Sequence, residues 1–255
     1  MPLLRIRGLT HFFGGLRAVH DFNLDQEPGE LIGIIGPNGA GKTTVFNLIT
    51  GVYRPTEGEI FFNGHNLVGK RPDQIVSLGI ARTFQTIRLF KNLSVLDNVR
   101  IAHFARTRYE VPAAMFRMPN YLREEAEVRE RALELLDLMG LADQAEWVAS
   151  SLPYGLQRRL EIARALACEP RLLLLDEPAA GMNPGEIAEL MELIRWIRQQ
   201  FDLTIILIEH QMRVVMGICE RIKVLDFGET IAEGTPAEIQ SNPRVIEAYL
   251  GEEAI

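Results

Sequence analysis

Residues Gly36-Pro-Asn-Gly-Ala-Gly-Lys-Thr43 follow the spacing G-x-x-x-x-G-K-[ST] of a phosphate-binding loop. Its glycines let backbone N–H groups curl around a polyphosphate with no side chain in the way. Lys42 can reach the β- and γ-phosphates, and the Thr43 hydroxyl can bind Mg²⁺. The candidate phosphate ligands are Gly36, Pro37, Asn38, Gly39, Ala40, Gly41, Lys42, Thr43 and Thr44. A second constellation is Leu172-Leu-Leu-Leu-Asp176-Glu177, four apolar residues ending in two acids. Paired with a phosphate loop this is a Walker B motif: Asp176 is placed to hold Mg²⁺, and Glu177 to polarise a water for attack on the γ-phosphate. His210, after Leu207-Ile-Glu209, ends another apolar run and is a candidate γ-phosphate contact. Gln85, after Ala81-Arg-Thr-Phe84, can bind Mg²⁺ or water.

These residues need strands that end together. Glu30–Ile35 is a short apolar run, the mark of a buried parallel strand, and Lys42–Thr50 reads as a helix closed by Gly51. Strand, loop and helix place a phosphate at a helix N-terminus, where N–H groups and the dipole favour anions. From residue 171 strands and helices alternate: strands at Leu172–Leu175, Leu203–Ile208 and Arg221–Leu225, helices at Pro184–Phe201 and Met212–Ile218. Alternation of this kind gives a parallel sheet with its ligands at the carboxyl edge. That edge would receive Asp176, Glu177 and His210 together.

The first thirty residues differ. Leu4–Ile6 and Ala18–Leu24 alternate as antiparallel strands around Gly14-Gly15, and Gly58–Phe62 adds another before Asn63-Gly64. Asp73–Leu78 suggests a short helix, and Gly79–Phe84 returns to the sheet. Between about 92 and 165 the period becomes helical. Glu124–Met139 is the clearest helix, with Leu133, Leu136 and Met139 on one face, i,i+4 pairs Glu125–Arg129 and Glu127–Arg131, and Gly140 closing it. Residues 106–120, with two prolines and exposed-looking Met115, Phe116 and Met118, read as an irregular insertion. Pro236–Leu250 reads as two short helices broken at Asn242-Pro243.

At 255 residues, 47% hydrophobic and 24% charged, the chain is ordinary globular protein with room for one core and a subdomain. A net charge of −7 argues against nucleic acid as a partner. No apolar stretch approaches the roughly 18–20 residues that span a bilayer, and Met1–Arg7 has no signal-peptide core. A cytosolic chain is expected, with any membrane role coming through a partner. Cys168 and Cys219 form no metal or redox motif and read as small buried hydrophobes.

Together, the motifs resemble the ATP-binding-cassette (ABC) ATPases over the whole chain. The family's order is present: phosphate loop Gly36–Thr43, Gln85, a signature region at Leu152–Gln157, Asp176-Glu177, a D-loop at Ala180–Asn183, then His210. The resemblance implies an α/β P-loop NTPase core with an antiparallel β subdomain and a helical signature subdomain. Residues 1–91 would carry the phosphate loop and β subdomain, 92–165 the helical subdomain, 166–235 the rest of the core and 236–255 the C-terminal helices. It implies ATP and Mg²⁺ as ligands, with Thr43, Gln85 and Asp176 at the metal and Glu177, His210 and Gln85 at the chemistry. It also implies that Phe13 stacks on adenine, where core packing is the alternative. Ala81-Arg-Thr-Phe-Gln85, Gln157–Arg164, Glu177–Pro184 and Ala248–Gly251 are similar to one branch, the ATPases of bacterial high-affinity branched-chain amino-acid importers. The length and the 106–120 insertion are similar to the larger of that system's two ATPase subunits. The implied partners are a second ATPase subunit, two membrane permeases and, indirectly, a periplasmic binding protein. The implied location is the cytoplasmic face of the bacterial inner membrane.

Two departures matter. The family signature is usually Leu-Ser-Gly-Gly-Gln; here it is Leu152-Pro-Tyr-Gly-Leu156 followed by Gln157, and Pro153 offers neither hydroxyl nor N–H. Asn183 stands where the D-loop usually has Asp. Because each nucleotide lies between one subunit's phosphate loop and the other's signature, a heterodimer with unequal sites is expected. Ile87, Leu89, Phe90, Leu93 and Val95 could line a groove for a permease helix, or simply be subdomain core. Urea or amide cargo, an exporter, and a non-transport ABC ATPase are the alternatives for function.

Overall fold

Alternation at the start of the chain builds a hairpin. Strands β1 (Leu4–Phe13) and β2 (Leu16–Gln26) pair antiparallel, and β4 (Glu57–Phe62) and β5 (His65–Asn66) complete a four-stranded sheet in the order β2-β1-β4-β5. The computed structural model describes residues 1–103 and 114–250. They form two units, Met1–Arg82 with the described residues from Arg171 onward, and Thr83–Pro170.

The first unit holds a second sheet. Strands β3 (Leu31–Ile35), β6 (Ile80–Arg82), β7 (Leu172–Asp176), β8 (Thr204–Ile208), β9 (Arg221–Asp226) and β10 (Glu229–Gly234) lie in the order β10-β9-β3-β8-β7-β6. All pairings are parallel except β10 against β9. Every residue of β3, β7 and β8 is buried, which explains their unbroken apolar runs. Strand β9 was expected, but its hairpin partner β10 is a strand that the sequence reading lacks; β10 is mostly half-exposed and carries no apolar run to mark it. Helices α1 (Lys42–Ile49) and α2 (Pro72–Ser77) precede β6; α6 (Pro184–Gln200), α7 (Met212–Ile218), α8 (Pro236–Gln240) and α9 (Pro243–Leu250) follow β7. Val45, Phe46 and Ile49 of α1 join Ile32, Ile34 and Leu174 with Leu4, Ile6 and Phe62 of the antiparallel sheet in one core. Each such side chain contributes about 1.5–3 kcal/mol on burial.

The second unit is helical: α3 (Val95–His103), α4 (Pro119–Leu138) and α5 (Tyr154–Leu166) pack on one another. Helix α4 begins earlier than the expected Glu124, because Pro119 suits a first helical turn. Its buried stripe is Val128, Ala132, Leu135 and Leu136, continued by Met139; Leu133 is only half-buried. The expected ion pairs are replaced by others: Glu125 meets Arg100, Arg129 reaches Glu146, Glu127 pairs with Arg123, and Arg131 reaches Glu169. For Glu125, Arg129 and Arg131 tertiary partners outcompete neighbours on the same helix, whose pairs are worth only about 0.2–0.5 kcal/mol; Glu127 keeps an i,i+4 partner, but on its N-terminal side. Of the 106–120 insertion, residues 106–113 lie outside the described residues; Met115, Phe116 and Met118 are exposed.

Candidate active site

The loop after β3 is shaped by its glycines. Gly36 (φ +149°) and Gly41 (φ +99°) adopt backbone that side chains rarely tolerate. A Cβ on Gly36 would collide with the Leu225 carbonyl, and one on Gly41 with the Ala18 carbonyl. The loop therefore lies against its neighbours as bare backbone, as a phosphate cradle must. The buried Lys42 turns its Nζ back onto the carbonyl oxygens of Gly36 (2.6 Å) and Pro37 (2.8 Å). Helix α1 starts here with no acidic residue in its first turn, so its N-terminal field stays positive. Asn38, Gly39 and Thr43 are exposed, Thr44 is half-buried, and Pro37 and Ala40 are buried.

Strands β7 and β8 run parallel with Asp176 opposite Ile208, so both chains leave the sheet at one edge. Asp176 is buried, and its Oδ2 accepts from Arg82 Nη2 at 2.6 Å. Arg82 also donates to Asn47 on α1 at 2.7 Å, tying Asp176 to the helix that follows the phosphate loop. Glu177 takes a left-handed φ of +46°, and its N–H donates to the Ile208 carbonyl at 2.8 Å. A non-glycine residue there is strained, a recurrent property of functional positions. The half-exposed His210 places Nδ1 3.5 Å from Glu177 Oε2. Between them in sequence, Glu209 is wholly buried, and burial pushes its carboxyl above the usual range.

Phe13 is not core. It is 43% exposed and meets Tyr53 edge-on, with ring centroids 5.2 Å apart; His11 lies between 4 and 6 Å from both rings. Tyr53 is held near α1 by its N–H to the Asn47 carbonyl. Gln85 belongs to the helical unit. Its carbonyl and that of Phe84 accept from Arg158 on α5, at 3.0 and 2.9 Å, while Glu161 accepts the N–H groups of Phe84 and Arg88. Arg158 and Glu161 are a fully buried ion pair at 2.6 Å. Pro153 is the N-cap of α5 and offers no side-chain cap. Asn183 has a local task as N-cap of α6, accepting from the N–H groups of Gly185 and Glu186. The structure thus brings the phosphate loop, Asp176, Glu177, His210 and Phe13 into one unit, and Gln85 and Pro153 into the other.

An ABC transporter family model matches residues 19–180, and a model for branched-chain amino acid ATP-binding cassette transporters matches residues 229–255. The chain belongs to the ABC transporter ATP-binding family. The high-affinity branched-chain amino acid transport ATP-binding protein LivG of Escherichia coli K12 is 47% identical over 251 residues, 98% of either chain. The ADP conformation of MJ1267, an ATP-binding cassette of an ABC transporter, superposes with a TM-score of 0.86 at 30% identity, covering 98% of this chain and 99% of that one. A dimeric, post-hydrolysis state of the cassette MJ0796 bound to ADP and Pi gives 0.75 at 28% identity, covering 91% and 98%. As an ABC ATPase the chain binds ATP and hydrolyses it to power transport. Such cassettes dimerise and work with permease subunits.

In this cassette, Arg82, Glu209 and Gln211 are the contacts that sequence reasoning missed. For Arg82 and Glu209 a charged residue inside or directly after an apolar strand was the available signal; Gln211 carried none.

Proposed function

We propose that this cassette energises a bacterial importer of branched-chain amino acids, with hydrolysis at its own phosphate loop. The observation that carries the reading is the meeting of Glu177 and His210 at the sheet edge that also carries the phosphate loop. Backbone N–H groups of residues 38–44 and Lys42 bind the β- and γ-phosphates, and Phe13 stacks on adenine. Glu177 orients the attacking water and His210 contacts the γ-phosphate. In-line displacement needs positioning and charge neutralisation more than covalent chemistry, so no cysteine or serine nucleophile is required.

Thr43 and Asp176 offer one hydroxyl and one carboxylate. Among the described residues no group of three or more His, Cys, Asp or Glu clusters into a cage. That donor set fits Mg²⁺ held jointly with nucleotide phosphates. Held by Thr43 and Asp176, Mg²⁺ would supply neutralisation of the phosphate charge. Gln85 is the third candidate ligand.

Among the described residues no helix is long and apolar enough to cross a membrane. We place the cassette at the cytoplasmic face of the inner membrane through two permeases, paired with a second ATPase subunit and served by a periplasmic binding protein. Full-length similarity to LivG supports branched-chain amino acids as cargo over urea or amides.

The test is nucleotide binding and turnover in the assembled importer, with labelled leucine as cargo. Glu177→Gln should retain ATP binding and lose turnover by about 100-fold or more, and Lys42→Ala should lose productive binding. Unchanged turnover in either variant would refute the site, and uptake of urea but not leucine would refute the cargo.

A further inference from the structure

Glu209 is not one of the residues assigned to the chemistry, yet it is a wholly buried carboxylate one residue from His210. Its Oε1 accepts the Ala179 N–H at 2.8 Å, and its Oε2 accepts those of His210 and Gln211 at 3.1 and 3.2 Å. Gln211 returns the link, its Nε2 donating to the Ala179 carbonyl at 3.1 Å. Ala179 is thus gripped at both its N–H and its C=O. It lies two residues after Glu177, whose left-handed backbone must be held by its surroundings. Upstream, the Glu177 N–H is bonded to the Ile208 carbonyl. The loops leaving β7 and β8 are therefore stitched together on both sides of the Glu177–His210 pair.

Burying a carboxylate costs several kcal/mol unless its oxygens are satisfied. An apolar side chain would fill the space more cheaply but leave three N–H groups to other partners. We propose that Glu209 is a positioning residue for hydrolysis: its two oxygens lock the loop after β7 to the loop after β8 and set the 3.5 Å separation of Glu177 and His210. Its effect passes through those two residues, since the partners of its oxygens are the backbone N–H groups of Ala179, His210 and Gln211. The inference rests on the reading of Glu177 and His210 given above.

The variant Glu209→Gln keeps the size but turns one acceptor oxygen into an NH₂ that faces an N–H. In the assembled importer it should lower kcat by about 10- to 100-fold, the loss that a misplacement near 1 Å produces. KM for ATP and the affinity for nucleotide should change less than about twofold, since the phosphate loop is untouched. In a His210→Ala background the same change should cost clearly less than in the wild-type protein, because part of the geometry it protects is already lost. Glu209→Asp, which keeps the charge but cannot span both loops, should also lose turnover and serves if the Gln variant fails to fold. An unchanged kcat would overturn the proposal, as would a loss carried by KM or a full additional loss in the His210→Ala background. Wild type and Glu177→Gln run alongside: a Glu177→Gln protein as active as wild type refutes the underlying site, whereas its silence leaves the Glu209 variants to decide.

Discussion

Glu177 carries two burdens at one position. Its side chain is proposed to hold the water, and its backbone sits at φ +46°, where an L-residue costs roughly 1–2 kcal/mol over the right-handed region. Glycine has no such penalty but loses more freedom on folding, roughly 0.5–1 kcal/mol. Glu177→Gly should therefore leave stability unchanged or raise it by about 1 kcal/mol while turnover disappears. Urea unfolding of the two proteins checks this; a marked destabilisation would mean that side-chain contacts, not backbone strain, dominate there. Cys219 shows the opposite economy. Burial pushes its thiol up to about 12, so it stays protonated and inert at neutral pH, as a packing residue should. Local chemistry was legible in the sequence wherever type and spacing are decisive, as in the phosphate loop. The tasks of Arg82 and Glu209 were not, because they are set by partners far away in sequence: Glu209 meets Ala179 across 30 residues.

Among the elements, fully buried strands were the most legible, since both faces must be apolar and the run announces itself. Strand β10 was not, because its face is mostly half-exposed. In the helical unit, residues 90–95 run beside 145–150. Val95 and Ala149 donate to Trp147 and Leu93, and Ser94 bridges Val148. Val95 is core, but Phe90, Leu93, Trp147 and Val148 are exposed, which divides the segment between the two expectations raised for it. The buried Asn98 accepts the Phe90 N–H and donates to its carbonyl, so the backbone is pinned while the ring stays out. A pinned, exposed apolar strip of this kind suits a permease helix. Phe90→Glu or Trp147→Glu should lower transport more than basal ATP hydrolysis. Because both rings are exposed, stability should move by no more than about 0.5 kcal/mol. Uptake and hydrolysis measured on the same proteoliposomes separate the outcomes; equal loss of both would return the strip to a folding role.

At the scale of the assembly, the unusual residue is Pro153. The resemblance to ABC ATPases implies closure over two nucleotides, each between one subunit's phosphate loop and the other's signature. This chain's loop would borrow its signature from a partner, while the partner's nucleotide would face Pro153 at the start of α5. Proline can offer neither a hydroxyl nor an N–H, so the helix N-terminus alone remains to favour the anion there. In the heterodimer proposed above the two sites would then be unequal, and most hydrolysis should run through Glu177. Glu177→Gln should nearly silence the complex, and the equivalent change in the partner should do less. Pro153→Ser supplies the missing hydroxyl and a better N-cap, so it should not destabilise α5. Combined with Glu177→Gln, it should restore hydrolysis that the single variant lacks, now arising at the partner's phosphate loop. Turnover of the reconstituted heterodimer measures this. A double variant as silent as the single, or a partner variant more damaging than Glu177→Gln, would place the active half of the assembly on the other chain.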